Sequence, residues 1–479
     1  MKTLWPHQAD ALAYARKRDR IALFMQQRCG KTLVAIRWAK EKVPTGVVLV
    51  VGSIEVLDDW ADELREDGET RIVMARGLSA AHRRPFLQGL TPPRSGRLWV
   101  LTNYEQLRGE KGIYRTLSVG GVLECIIADE STKIRNPQSA TTKAAIHVGR
   151  LIPKRAILTG LPNPEGMTDY FSQFVFLKGE FEGYDNYWLW RNTRFFQPLT
   201  ARGDTMSWLW SPKKEAISAI RKEVNRTAFV LTRKKAKIGG SKLYNRWAVP
   251  ASAEQVRAIK QVSRSFEFDG HTTVWATVRD TWLARIAGGF LPEKGPLDPD
   301  TGEPTTVYRA IPCGKTAVLV EHLKGDLRDQ STIVWFRFND ELRAVSTALS
   351  AAGVAHQWIN GATPRPRRLE VRKAFQAEAF PVLLMQVRVG MFGLNLSVAD
   401  TAIYYSNPYD LEIRAQSEDR IIHGTKTHAV QCIDIVTKGS LDVVISDMLR
   451  QKWRDSRQFQ MEMASRWSEF FRQEYGGGR

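Results

Sequence analysis

Residues 26–32 have the residue types that bind a triphosphate. They read Gln-Gln-Arg-Cys-Gly-Lys-Thr and lie between an apolar run at 21–25 and a helical pattern. In a strand, turn and helix of this kind, backbone N–H groups and the helix dipole hold the anion. Lys31 would then reach the β- and γ-phosphates, and Thr32 would bind Mg²⁺. Met25 stands where the full pattern has its first glycine, so an ordinary helix N-terminus explains this segment by itself equally well.

A second segment supplies the acids that nucleotide hydrolysis needs. Residues 125–130 read Cys-Ile-Ile-Ala-Asp-Glu, which is typical of a buried strand that ends in two carboxylates. Asp129 can hold Mg²⁺ there, and Glu130 can polarise the attacking water. An Asp-Glu pair alone more often has a structural role, such as capping a helix. Its position about a hundred residues after Gly-Lys-Thr predicts nucleotide hydrolysis instead.

The elements that position these residues follow an α/β pattern. Short β-branched runs alternate with longer helical patterns in the first and last thirds of the chain, which predicts two parallel-sheet α/β lobes. A helix is predicted to begin after Ser440, its N-cap. The predicted strands are residues 46–52, 71–75, 98–102, 125–129 and 155–159 in the first lobe, and 332–336, 382–386, 401–405 and 430–436 in the second.

The segment between the lobes differs in composition. Nine aromatic residues within 181–210 predict a mostly helical packing core, with base stacking by these rings as the alternative. Residues 201–245 carry eleven Lys or Arg against three acids, a local charge of +8. This surplus favours phosphate contact over a solvated face. Prolines and glycines at 292–312 indicate a turn-rich connector.

The overall composition limits the function. Seventy Lys and Arg against fifty-one Asp and Glu give a net charge of +19 over 479 residues, which favours nucleic acid as a partner. The apolar runs are too short for a membrane span, and the N-terminus lacks a secretory pattern. Four widely spaced cysteines fit neither a disulfide framework nor a zinc site. We therefore expect a cytoplasmic chain with no membrane partner.

The order of the motifs resembles that of the superfamily 2 helicase-like ATPases, and within them the Swi/Snf-like double-stranded DNA translocases. Residues 28–32 resemble motif I, 129–137 motif II and 158–163 motif III. Residues 393–400 are similar to motif V. The resemblance implies ATP and Mg²⁺ as cofactors. The nucleotide contacts that it implies are Gln8, which resembles an adenine-reading glutamine, and Arg28, Cys29, Gly30, Lys31, Thr32 and Gly393.

Residues 416–420 resemble the start of motif VI, whose arginines enter the ATP site in that family. The resemblance adds Gln416, Arg420 and His423 to the catalytic set of Lys31, Asp129 and Glu130. Four positions depart from the family pattern. Arg28 replaces a usual glycine, Leu161 replaces a threonine of motif III, and Thr132 replaces a histidine of many relatives. His423 stands where the second arginine of motif VI is expected.

Motifs Ia, Ib, IV and V and a basic linker touch DNA in the family that this sequence resembles. The motif Ia match includes Trp60 as well as residues 50–53. The DNA contacts implied by the resemblance are Ser53, Thr102, Asn103, Tyr104, Arg233, Lys234, Lys235, Arg337 and Asn395. Double-stranded DNA is the expected partner, with branched or single-stranded DNA as alternatives.

The resemblance implies RecA-like lobes at 1–177 and 313–450, a mostly helical, basic insertion at 178–312 and a helical tail at 451–479. The expected activity is ATP hydrolysis coupled to movement along a duplex. The alternatives are a strand-separating or branch-migrating helicase that acts on forks or RNA–DNA hybrids, and a nucleotide-gated DNA-binding module with weak hydrolysis. We expect a monomer of the compact bacterial or bacteriophage type, in the cytoplasm of a bacterial or phage-infected cell. The sequence does not identify protein partners.

Overall fold

The computed structural model places two parallel sheets in two units of the chain, Met1–Ile238 and Gly239–Arg479. It describes residues 2–54, 56–164, 166–196, 211–231, 233–236, 241–265, 267–268, 271–272, 276–297, 304–390, 396–422, 426 and 428–451. The predicted fold class, two α/β lobes with parallel sheets, is confirmed.

The first sheet has seven parallel strands in the order β3-β4-β2-β5-β6-β1-β9. Its central strand β2 is buried along its whole length, as expected for a parallel sheet covered by helices on both faces. The strands are β1 (Arg20–Met25), β2 (Gly46–Gly52), β3 (Ile72–Met74), β4 (Arg97–Asn103), β5 (Leu123–Asp129), β6 (Lys154–Thr159) and β9 (Ala228–Leu231).

Two apolar clusters cover the two faces of this sheet. The helices of the unit are α1 (Pro6–Arg16), α2 (Lys31–Lys42), α3 (Val56–Glu66), α4 (Ala80–Gln88), α5 (Tyr104–Gly109), α6 (Lys111–Val119), α7 (Ala140–Gly149), α8 (Asp169–Lys178), α9 (Tyr187–Arg194), α10 (Lys214–Thr227) and α11 (Arg233–Ala236). A short antiparallel pair, β7 (Phe195–Phe196) and β8 (Ser211–Pro212), follows α9.

The second sheet has six parallel strands in the order β10-β19-β18-β15-β17-β16. They are β10 (Lys242–Val249), β15 (Thr332–Phe336), β16 (His356–Ile359), β17 (Val382–Gln386), β18 (Thr401–Tyr404) and β19 (Val430–Thr437). Two antiparallel pairs precede β15: β11 (Glu267–Phe268) with β12 (His271–Thr272), and β13 (Phe290–Leu297) with β14 (Pro304–Ala310). The helices are α12 (Ala253–Ser265), α13 (Ala276–Ala287), α14 (Gly314–Lys324), α15 (Asn339–Ala351), α16 (Arg365–Gln376), α17 (Val387–Gly390), α18 (Leu411–Asp419) and α19 (Leu441–Gln451).

The segment 178–312, predicted as an insertion between the lobes, divides between the two units. Its strand β9 pairs with β1 in the first sheet, and its strand β10 pairs with β19 in the second. The predicted connector at 292–312 contains most of the hairpin β13–β14. Prolines are tolerated in this hairpin because a two-stranded ribbon has free edges. Of the tail predicted at 451–479, only residue 451 is described, as the last residue of α19.

The aromatic residues of 181–196 form a core, as the sequence predicts. Trp190 is fully buried, and its ring centroid lies 5.1–5.5 Å from those of Phe171, Phe181 and Phe195. Its Nε1 donates to Glu182 Oε2 at 2.7 Å. Trp188 and Phe196 remain exposed, and Trp208 and Trp210 lie outside the described residues. No described helix is both long and apolar enough to cross a membrane.

We expect Trp190→Ala to destabilise the first unit by about 3–5 kcal/mol, because it empties the centre of this aromatic core. Leu189→Ala is the control, since Leu189 is the neighbouring residue and is exposed. Urea unfolding followed by circular dichroism measures both variants. Equal unfolding midpoints would contradict a core role for Trp190.

Candidate nucleotide site

Three neighbouring strands of the first sheet bring the predicted phosphate and acid residues to one edge. The strands β5, β6 and β1 are adjacent and parallel, so their C-terminal ends lie side by side. Residues 26–30 follow β1, and Asp129 is the last residue of β5. The end of β6 adds Thr159, followed by Gly160. Ligands of open α/β sheets bind at this edge.

The loop 26–30 turns tightly before α2 begins at Lys31. The Cys29 N–H donates to Gln26 O at 3.2 Å, and Gly30 adopts a left-handed conformation with φ of 71°. Arg28 also has a positive φ, of 69°. That conformation costs a non-glycine residue about 1–2 kcal/mol, so the loop geometry accounts for glycine being usual in the family that the sequence resembles.

Gln8 lies against this loop. It is buried, its Nε2 donates to Gly30 O at 3.3 Å, and its Oε1 accepts from the Trp5 N–H at 2.8 Å. A Cβ added at Gly30 would stand 1.8 Å from Gln8 Nε2, so any other residue there would displace the Gln8 amide and strain the backbone. Gln8 Nε2 has a second hydrogen. This N–H is the donor from which an adenine ring nitrogen would accept a hydrogen bond.

A second close approach joins the loop to the motif III segment. A Cβ added at Gly160 would lie 1.7 Å from Gln27 Oε1 and 3.1 Å from the Gln27 backbone nitrogen. Gly160 therefore allows the phosphate loop and the end of β6 to touch. Nothing in the sequence pairs Gln27 with Gly160, because the two residues are far apart along the chain.

Asp129 is almost fully buried and is held by three donors. The Trp60 Nε1 donates to Oδ2 at 2.8 Å, the Glu130 N–H donates to Oδ1 at 2.9 Å, and the Tyr104 hydroxyl donates to the backbone oxygen at 2.7 Å. Each carboxylate oxygen accepts more than one bond, so both keep capacity for a cation. Thr32 adds a hydroxyl in the first turn of α2, and these oxygen groups fit Mg²⁺.

Lys31 and Glu130 form a loose ion pair, with 3.9 Å between Lys31 Nζ and Glu130 Oε1. Both side chains are largely shielded from solvent. Glu130 has a positive φ of 47°, which turns the chain sharply after β5. The structure thus brings together the predicted phosphate-binding lysine and the predicted water-orienting acid.

The predicted DNA contacts of β4 and α5 are buried. The Asn103 side chain caps α5 by accepting from the Gln106 N–H, and Thr102 Oγ1 donates to Gln106 Oε1 at 3.2 Å. Burial, together with the charges of Asp129 and Glu130, raises the pKa of Tyr104 well above its usual range, so it remains a donor. Contact between these three side chains and DNA would need a local rearrangement.

Other predicted site residues have different surroundings. In the first unit, Ser53 is half-buried after β2 and Lys235 is exposed. Arg233 and Lys234 belong to α11, but their side chains lie outside the described residues. In the second unit, the guanidinium carbon of Arg337 lies 4.0 Å from the centroid of the Tyr409 ring. Gly393, Asn395 and His423 lie outside the described residues.

Residues 416–419, which resemble the start of motif VI, lie in α18, all nine residues of which are buried. Gln416 Nε2 donates to Glu412 Oε1 at 3.2 Å, and Arg420 is the C-cap of the helix. Arg414 anchors this helix, a structural role that the sequence did not indicate. The Arg414 Nε donates to Glu418 Oε1, and its Nη1 donates to Asp434 Oδ1, both at 2.7 Å.

Family models match both units of the chain. Residues 13–261, more than half of the chain, match the SNF2-related domain. The chain belongs to the SNF2-related family. Residues 314–424 match the helicase conserved C-terminal domain. The predicted Swi/Snf-like family is therefore confirmed for this SNF2-related chain.

Two curated relatives illustrate the range of the SNF2-related family. "Putative ATP-dependent helicase/translocase YwqA" of Bacillus subtilis is 21% identical over 441 residues, covering 88% of this chain and 44% of the relative. "Protein CHROMATIN REMODELING 19" of Arabidopsis thaliana is 21% identical over 510 residues, covering 92% and 66%. The SNF2-related chain spans less than two thirds of either relative.

One solved structure with low similarity is the Sulfolobus solfataricus SWI2/SNF2 ATPase core in complex with dsDNA. It is 20% identical, with a TM-score of 0.41, and the match covers 98% of this SNF2-related chain and 96% of that chain.

We expect Trp60→Phe to weaken Mg²⁺-dependent nucleotide binding about tenfold, because it removes a donor to the Asp129 carboxylate while an aromatic ring remains at this position. Titration of a fluorescent ATP analogue with and without Mg²⁺ measures the effect. Trp99→Phe is the control, since Trp99 Nε1 donates to Glu69 at 2.9 Å in the same unit. An equal loss without Mg²⁺, or in the control, would contradict a role at the metal site.

Proposed function

We propose that this SNF2-related chain hydrolyses ATP with Mg²⁺ while it moves along double-stranded DNA. The observation that carries this proposal is the meeting of Lys31 and Glu130, 3.9 Å apart, at the shared edge of β1 and β5. A phosphate-binding lysine beside a water-orienting acid is the arrangement that phosphoryl transfer to water requires. The family match and the helicase/translocase name of YwqA support the DNA-tracking part.

Each residue has a proposed step in hydrolysis. The backbone N–H groups at the beginning of α2 bind the triphosphate, and Lys31 exchanges Glu130 for the β- and γ-phosphates. Glu130, released from that pair, orients the attacking water. Thr32 and Asp129 would hold Mg²⁺, which would neutralise charge on the phosphates. Gln416, Arg420 and His423, which resemble motif VI, are proposed to complete catalysis.

DNA contact is proposed for the surface residues of the basic segment and the strand ends. Lys235 is exposed and follows Arg233 and Lys234 in α11. Ser53 follows β2 at the edge where the nucleotide loop lies. We propose that the protein works in the cytoplasm of a bacterial cell, or of a bacterial cell infected by a phage.

Lys31→Ala and Glu130→Gln should each reduce ATP turnover by at least a hundredfold, because they remove the phosphate charge and the water-orienting group. Glu130→Gln should still bind ATP. ATPase rates with and without duplex DNA measure this, and Lys17→Ala, at an exposed lysine, is the control. Near-normal rates in either folded variant would contradict the site.

Displacement of a triplex strand without fork unwinding would distinguish a translocase from a strand-separating helicase.

The charge reversals Arg233→Glu, Lys234→Glu and Lys235→Glu should together flatten the salt dependence of duplex binding. Three lost phosphate contacts would reduce the log–log slope by about 2.7. Fluorescence anisotropy at several salt concentrations measures the slope. The matched control reverses Lys324, Arg328 and Lys438, which are exposed in the second unit. If both triple variants have the same slope, α11 is a solvated face.

A further inference from the structure

A cavity of about 510 Å³ lies on the helical surface of the first unit. Its lining comes from α6, α7 and α8 and from the beginning of α9. Helix α7 connects the parallel strands β5 and β6, so it runs from the edge that carries Asp129 back to the opposite edge of the sheet. None of the nucleotide-loop residues lines this cavity. The cavity is therefore separate from the nucleotide loop.

A row of basic side chains borders the cavity. Lys143 and His147 of α7 and Arg150, its C-cap, share one side of the helix because they are four and three residues apart, and Arg115 of α6 joins them. All four side chains are exposed. The acid in the lining is Asp185, and it balances one of the three permanent charges. Such a row can follow successive phosphates of a nucleic-acid strand.

The interior of the cavity is apolar and partly aromatic. Phe171 and Val175 are buried lining residues, while Trp188 is 45% exposed. The Arg191 guanidinium lies 4.5 Å from the Trp188 ring centroid, which is a cation–π contact that holds the ring. The buried Ser172 hydroxyl also lines the cavity, and no described residue forms a hydrogen bond with its Oγ.

We propose that this cavity binds an unpaired nucleic-acid strand, with phosphates on the α7 cations and a base against Trp188. An exposed aromatic ring beside a basic row is how proteins bind single strands without regard to sequence. An acidic peptide would satisfy the cations but would leave the aromatic ring without a specific partner. A duplex would satisfy them too, but its paired bases could not enter the cavity. The proposal is independent of ATP hydrolysis.

The test uses the full chain saturated with unlabelled duplex and a fluorescein-labelled oligothymidylate of about ten nucleotides, a length within the range that single-strand binding folds cover. Anisotropy should show about tenfold weaker binding for Trp188→Ala and an intermediate value for Trp188→Phe. Lys143→Glu with Arg150→Glu should weaken binding and reduce its salt slope by about 1.4, because a single strand contributes about 0.7 per phosphate contact. Duplex-stimulated ATP turnover should stay within about twofold of wild type.

The matched control is Lys324→Glu with Arg328→Glu, which removes the same charge from exposed positions of the second unit. It should leave oligothymidylate binding unchanged. Wild-type affinity in both the Trp188→Ala variant and the α7 double variant would overturn the proposal. The proposal would also be wrong if labelled oligoglutamate bound through the same residues and oligothymidylate did not bind, since the cavity would then dock an acidic protein segment.

Discussion

The buried carboxylate of Asp129 organises the first unit around the nucleotide site. A carboxylate removed from water needs hydrogen-bond donors, and here Trp60, in α3 after β2, donates to it. Tyr104, in α5 after β4, donates to the backbone oxygen of Asp129. The indole fixes the orientation of the carboxylate, and the phenol fixes the backbone that carries it. Three strands of the sheet thus determine where a bound cation would lie. Packing and chemistry depend on the same contacts.

A corresponding constraint holds the second unit together. Arg414 joins α18 to β19, and Lys242 of β10 pairs with Glu418 at 2.7 Å. Burial opposes ionisation of Glu418, but Lys242 and Arg414 outweigh it and lower its pKa to about 2. Breaking a buried pair of this kind leaves an uncompensated charge. The helix that resembles motif VI is therefore fixed, with Arg420 at its end.

The sequence predicted the strands in the interior of each sheet well, because they are apolar runs buried on both faces. Strand β2 has the predicted bounds, as do β15 and β17. Edge strands were harder: β3 is shorter than predicted, and the polar residues of β10 made it part of a basic stretch. Chemical motifs located Lys31 and Asp129 because their residue types and order are distinctive. The contacts of Trp60 with Asp129, and of Gln27 with Gly160, depend on strand order, which local sequence does not contain.

The position of β10 has a consequence for synthesis on the ribosome. This strand is the first element of the second unit, and its partner in the sheet, β19, follows roughly 190 residues later. Until β19 emerges, β10 has no strand to pair with, and its backbone groups remain an open edge. The first sheet is complete much earlier, when β9 emerges at Leu231. The nascent chain therefore carries a finished first unit and an unpaired strand through most of the synthesis of the second.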